Sequence, residues 1–180
     1  MRRFILAGAP GAGKTAILNR LRSEGFSVVA EAATDIIAAA QAQGVLEPWR
    51  EPAFIDSIAC LQKERESCAA TPHDGIQFWD RSVVCTAALA TYLGHPFSPF
   101  LVSELKRIRC KSVFENRVFF IRNLGFITPT EARRISFDES LRFEAIHEHT
   151  YRDLGFELVY IARGTVSERV KAIRANLQRR

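Results

Sequence analysis

The residues Gly8-Ala9-Pro10-Gly11-Ala12-Gly13-Lys14-Thr15 fit the pattern G-x-x-x-x-G-K-[ST] at every fixed position. The chemistry explains the spelling. Gly8, Gly11 and Gly13 let the chain turn with positive φ and bring its N–H groups onto phosphate oxygens. A helix opening at the end of the loop adds a partial positive charge at the same place. In such a loop Lys14 reaches the β- and γ-phosphates of a nucleoside triphosphate, and the Thr15 hydroxyl holds Mg²⁺. The expected nucleotide contacts run from Gly8 through Ala9, Pro10, Gly11, Ala12, Gly13, Lys14 and Thr15 to Ala16. ATP is the expected cofactor, with GTP as the alternative. A glycine-rich turn without a ligand is the competing reading, and context separates the two: the binding loop follows a strand and opens a helix.

That context is present. Phe4-Ile5-Leu6-Ala7 is a continuous apolar run, as in a strand buried on both faces of a parallel sheet. A helix follows through Ile17, Leu18 and Leu21, closing near Gly25. Phe26–Ala30 reads as the second strand, followed by helices over Ala32–Ala42 and Pro52–Ala70, with Pro52 in the first helical turn. Ile76–Trp79 is a third strand ending at Asp80, Val83–Tyr92 a helix, and Ser98-Pro99 the cap and first residue of another. Val118–Ile121 and Phe156–Ile161 complete the strands. Capping boxes at Thr128…Glu131, Ser136…Glu139 and Thr165…Glu168 start the remaining helices, the last with Val166, Val170, Ile173 and Leu177 on one face. Strands alternating with helices imply a parallel sheet covered on both sides, in one domain spanning residues 1–180.

Composition narrows the class. The chain has 180 residues, is 47% hydrophobic and 25% charged, and carries a net charge of +5. Residues 1–100 hold 9 basic and 10 acidic side chains, whereas residues 101–180 hold 16 and 10. No apolar run approaches the roughly 18 residues that cross a bilayer. The apolar run after Arg2-Arg3 stops at Gly8, too short for a secretion signal. Cys60, Cys68, Cys85 and Cys110 are widely spaced, which predicts reduced, mostly buried thiols in a cytoplasmic protein. The chain has no N-K-x-D, no D-x-x-G after the third strand and no L-S-G-G-Q, which argues against Ras-like GTPases and transporter ATPases. Hydrolysing motors place Asp-Glu where this chain has Asp80-Arg81, and an arginine suits a second anion better than it suits activating water.

The sequence resembles a bacterial family of small AAA-like ATPases, related in pattern to nucleoside, nucleotide and nicotinamide-riboside kinases. The resemblance covers nearly the whole chain. It rests on G-A-P-G-A-G-K-T, on V-V-A-E-A-A after the second strand, on W-D-R-S after the third, and on Y-R-D-L-G-F-E-L-V-Y-I near the end. It implies a three-layer α/β P-loop NTPase fold with about five parallel strands in the order 2-3-1-4-5. It also implies Mg²⁺-dependent phosphoryl transfer from ATP to a small, nucleoside- or nucleotide-like acceptor. A slow ATPase or GTPase switch and a nucleotide-dependent binding module are the alternatives.

The same resemblance suggests roles for further residues. Glu31 matches the acidic residue that takes the acceptor hydroxyl's proton, with Asp35 one turn further as a substitute; a carboxylate favouring a helix start is the structural alternative. Asp80 would hold Mg²⁺ through water, and Arg81 would grip a phosphoryl group bidentately, unless the two form a purely structural pair. Arg133 and Arg134 lie in a lid-like segment at about residues 123–137, where lid arginines neutralise charge on the transferring group. Arg122 is a weaker candidate of the same kind, and Arg163 in Arg163-Gly164-Thr165 is expected beside the base. The basic cluster Lys106, Arg107, Arg109 and Lys111 reads as a solvated helix face, with an acidic partner as the alternative. His147-Glu148-His149 has no metal-site spacing, Trp49 and Trp79 read as core or pocket wall, and nucleic acid is not an expected partner.

Overall fold

The structure, a computed structural model, describes residues 1–69, 75–126 and 135–177. Its elements are β1 (Arg2–Ala7), α1 (Lys14–Ser23), β2 (Ser27–Val29), α2 (Ala32–Ala42), a 3₁₀ turn (Pro48–Arg50), α3 (Ala53–Cys68), β3 (Ile76–Asp80), α4 (Val83–Leu93), α5 (Pro99–Cys110), β4 (Arg117–Ile121), α6 (Phe137–Asp153), β5 (Glu157–Ile161) and α7 (Val166–Leu177). The five strands pair in parallel in the order β2-β3-β1-β4-β5. This is the expected order, and it puts the carboxyl ends of all five strands along one edge.

Alternation along β1 builds a core on each face of the sheet. Phe4 and Leu6 pack with α1 and α7 through Ile17, Leu21, Val170 and Ile173. Ile5 and Ala7 face α3, α4 and α5 through Ile55, Ile58, Val84, Leu101 and Ile108. The two clusters make the molecule three-layered. On the first face the rings of Phe4, Phe78 and Phe119, from three adjacent strands, lie 5.5–6.4 Å apart and tie the sheet centre together.

Local signals account for the helix starts. Ser82 accepts from the Val84 N–H and Ser98 from the Leu101 N–H. Ser136 and Glu139 exchange both bonds of a capping box, and Thr165 and Glu168 do the same. The expected box at Thr128…Glu131 lies outside the described residues.

The structure corrects four details. Only Cys85 is buried; Cys60, Cys68 and Cys110 are free and exposed, because they sit on the outer sides of α3 and α5. Pro52 stands at the cap of α3 rather than inside its first turn. Val166, the first residue of α7, is 37% exposed, while Val170, Ile173 and Leu177 are buried. The turn at Pro48–Arg50 has no periodicity to announce it and was not expected.

Gly8 carries a steric constraint at the end of β1. Its φ is +130°, and a Cβ there would stand 2.4 Å from the Ile121 carbonyl oxygen. Gly8→Ala should lower unfolding stability by about 3 kcal/mol or more in denaturant melts. Gly44→Ala, at φ +86° with open space around it, should cost only about 1 kcal/mol.

Candidate functional site: a phosphate loop beside an acceptor cleft

Gly8, Gly11 and Gly13 adopt φ of +130°, +81° and +82°, so the loop between β1 and α1 turns its amides inward. Lys14 is 5% exposed, and its Nζ donates to the Gly8 and Ala9 carbonyls at 3.0 and 2.9 Å. Burial first, and the neighbouring Arg81 charge second, lower its pKa to about 8; Asp80 and Glu31 pull the other way. A phosphate arriving here meets a lysine short of negative charge. Thr15 and Ala16 are exposed on the first turn of α1, and Ala12 is buried under the loop.

A residue that sequence reasoning missed supports this loop. Arg169 of α7 is 3% exposed and donates Nη1 to the Ala12 carbonyl at 2.7 Å and Nη2 to the Arg122 carbonyl at 2.6 Å. It also lies 3.2 Å from where a Cβ on Gly13 would stand. One guanidinium thus ties the phosphate loop to the end of β4. The sequence signal was weak: a basic residue among the apolar positions of an amphipathic helix.

On the other side of Lys14 the ends of β2 and β3 meet. Glu31 occupies the cap position of α2 but makes no cap bond. Its carboxylate turns instead to Arg81, with Nε 2.6 Å away, and accepts from the Thr34 hydroxyl at 3.1 Å. Glu31 thus stands at the helix start, as one reading of the sequence has it, while its carboxylate also pairs with Arg81. Burial pushes the Glu31 carboxyl up, but the Arg81 and Lys14 charges outweigh it and hold it below the usual range. Arg81 has φ +71°, a costly conformation for a residue with a Cβ. Its N–H donates to the Leu6 carbonyl at 3.1 Å, and its Nη1 lies 3.1 Å from His147 Nε2. Asp80 is buried beside Leu6 in the strand register, and its charge acts on both Lys14 and Arg81.

These groups border a cleft of about 540 Å³. Glu31, Arg81, Pro10 and Cys85 lie on its wall, with Trp49, Phe54, Ile58, Tyr92, Phe143 and Ile135 as apolar lining. Polar groups are few. Gln62 accepts from the Thr86 hydroxyl at 2.9 Å, so both side chains are oriented before anything binds. Trp79 lies in the core against Phe114, whereas Trp49 is wall.

Other candidates stand apart. Asp35 pairs with Arg65. Arg122 spans Glu144 and Glu148, both at 3.1 Å, and its ring neighbour is Tyr160. Arg163 is exposed, with Nη2 3.3 Å from Asn123 Oδ1 and Nη1 close to Gly125, and is not among the residues lining the cleft. Arg133 and Arg134 lie outside the described residues. Of the basic cluster, Arg107 pairs with Glu66 and Glu104, and Arg109 lies over the Phe156 ring; Lys106 and Lys111 are exposed. Among the described residues no three His, Cys, Asp or Glu side chains gather into a metal cage. The donors present suit Mg²⁺ shared with a nucleotide: the exposed Thr15 hydroxyl and the Asp80 carboxylate, completed by phosphate oxygens and water.

The strand order and the glycine loop between β1 and α1 are those of a three-layer α/β P-loop fold. The structure matches deoxyadenosine kinase from M. mycoides with a TM-score of 0.68 at 11% identity, covering 97% of each chain. It matches NadR protein in complex with NAD and AMP-PNP with a TM-score of 0.70 at 15% identity, covering 99% of this chain and 50% of that one. The chain therefore spans half the length of NadR. No curated protein matches the sequence. The family model described as AAA domain matches residues 3–169, and the chain belongs to that family.

If Arg169 holds the loop, Arg169→Met leaves two buried carbonyls without their donor. It should lower stability by about 2 kcal/mol and weaken ATP binding, and Arg169→Lys should recover part of both. Denaturant midpoints together with titration calorimetry measure the two effects.

Proposed function

We propose that the protein is a Mg²⁺-dependent phosphotransferase that moves the γ-phosphoryl group of ATP onto a hydroxyl of a small nucleoside- or nucleotide-like acceptor. The observation that carries this reading is the Glu31–Arg81 pair, at 2.6 Å, on the wall of a preformed and largely apolar cleft beside Lys14. A hydrolase needs only a water at this position. A cleft of about 540 Å³ suits an organic acceptor. The deoxyadenosine kinase match, whose structures hold dCMP and dCDP or dATP, and the NadR match, in complex with NR, support an acceptor of that chemical type.

Each step has a residue. The loop amides and Lys14 hold the β- and γ-phosphates in line with the acceptor oxygen, and most of the rate comes from that positioning. Glu31, held as a carboxylate at neutral pH, accepts a hydrogen bond from the acceptor hydroxyl and takes its proton as the oxygen–phosphorus bond forms. The bond between the γ-phosphorus and the bridging oxygen breaks, and the nucleoside diphosphate leaves with the electron pair. Arg81 faces the charge that spreads over the equatorial oxygens, joined from the lid-like segment by Arg133 and Arg134. Mg²⁺ bound by Thr15 and Asp80 would supply further neutralisation of phosphate charge. Arg163 flanks the base, adenine being preferred and guanine the alternative.

A screen of nucleosides, nucleotides and nicotinamide riboside with γ-labelled ATP tests the reading. Labelled product from one acceptor class is the expected outcome. Acceptor-independent phosphate release would favour the ATPase or GTPase switch, and tight ATP binding without turnover a binding module. Lys14→Ala should remove most ATP affinity while the fold remains, measured by calorimetry and circular dichroism. Glu31→Gln should keep ATP binding and slow transfer by about 10²–10⁴-fold.

A further inference from the structure

Helix α6 begins just after residues 127–134 and turns one stripe inward: Phe143, His147 and Tyr151, at i, i+4 and i+8. All three are buried, and all three meet the run from Arg81 to Cys85 or the cleft beside it. Phe143 forms cleft wall. The Tyr151 hydroxyl lies 2.9 Å from Ser82 Oγ and 3.1 Å from Cys85 Sγ. His147, fully buried, places Nε2 3.1 Å from Arg81 Nη1 and Nδ1 2.9 Å from the Phe143 carbonyl oxygen.

The atoms assign the ring proton. A guanidinium carries donors only, so Nε2 must accept with its lone pair. A carbonyl accepts only, so Nδ1 must carry the hydrogen. His147 is therefore the neutral Nδ1–H tautomer. Burial, and then the Arg81 charge, push its pKa well below the ordinary histidine value, in agreement with that assignment.

We infer that His147 is the positioning residue for Arg81: a neutral acceptor that fixes one arm of the guanidinium while leaving its charge available to a phosphoryl group. Arg81 then has anchors from three helices: Glu31 at the start of α2 on Nε, His147 of α6 on Nη1, and the Cys85 side chain of α4. A second carboxylate in place of the imidazole would complete the neutralisation that Glu31 begins, and weaken the pull on phosphate. An apolar side chain would leave Nη1 without this partner, and the guanidinium held only from the Glu31 and Cys85 sides. The consequence for rate rests on the phosphotransfer reading; the bond itself does not.

The test has two arms. In transfer assays with the acceptor found by screening, His147→Phe should lower kcat/KM for that acceptor about 100-fold with ATP affinity unchanged. His147→Gln, whose amide oxygen can take the place of Nε2, should restore most of the loss. Adding His147→Phe to Arg81→Lys should slow the reaction little further. A His147→Phe enzyme as fast as the parent, or a glutamine variant as slow as the phenylalanine one, overturns the inference. Independently of any acceptor, ¹⁵N NMR of the histidine ring in the intact protein should show a neutral imidazole protonated on Nδ1, perturbed at Nε2 by Arg81→Lys. A ring proton on Nε2, or no response to Arg81→Lys, also overturns it. Absence of an acceptor in the screen would count against the kinase reading alone.

Discussion

Two buried cations, Lys14 and Arg81, stand at the carboxyl edge of the sheet close enough for each to affect the other's ionisation. Like charges in a low-dielectric interior repel strongly, and each has lost the water that would screen it. The surroundings answer with Glu31, which follows β2, and with Asp80, the last residue of β3 and the neighbour of Arg81. Lys14 further borrows the Gly8 and Ala9 carbonyls, and Arg81 borrows an imidazole. These compensations require the ends of β1, β2 and β3 to lie side by side, which the parallel order β2-β3-β1 achieves.

The C-terminal half contributes differently. Among the described residues, several of its basic side chains are engaged inside the molecule. Arg107 serves Glu66 and Glu104, Arg122 serves Glu144 and Glu148, and Arg169 serves two backbone carbonyls. Part of the positive charge that composition presents as a single quantity is thus several separate structural bonds, while Lys106, Lys111, Arg142 and Lys171 are among those on the surface. Helices α6 and α7 act on the site from opposite faces, α6 through His147 and Tyr151 on the β3 end, α7 through Arg169 on the loop.

Much of the architecture was legible because its signals are local. The bounds of α2 follow the apolar spacing from Ala32 to Ala42, and two capping boxes mark α6 and α7 through contacts three residues apart. The buried strands read as apolar runs. Burial of individual thiols was not legible, because the face of a helix that meets the sheet depends on how the helix is rotated when it packs; Cys60 and Cys68 of α3 turned outward. Glu31 illustrates the same limit. Its position after β2 was evident, but whether it capped α2 or reached across to Arg81 depended on the distance between two strand ends.

By itself the sequence determined the phosphate loop, because a run of consecutive backbone amides and three glycines needs no distant residue to define its shape. It also determined the alternation of strands and helices, and with it the edge where ligands meet the sheet. Only the tertiary structure decided which partners hold Arg81 and the loop. His147 reaches Arg81 across 66 residues of chain, and Arg169 reaches Ala12 across 157. Such pairs form when sheet order and helix rotation bring two side chains into the same small volume, and no spacing along the chain encodes that meeting.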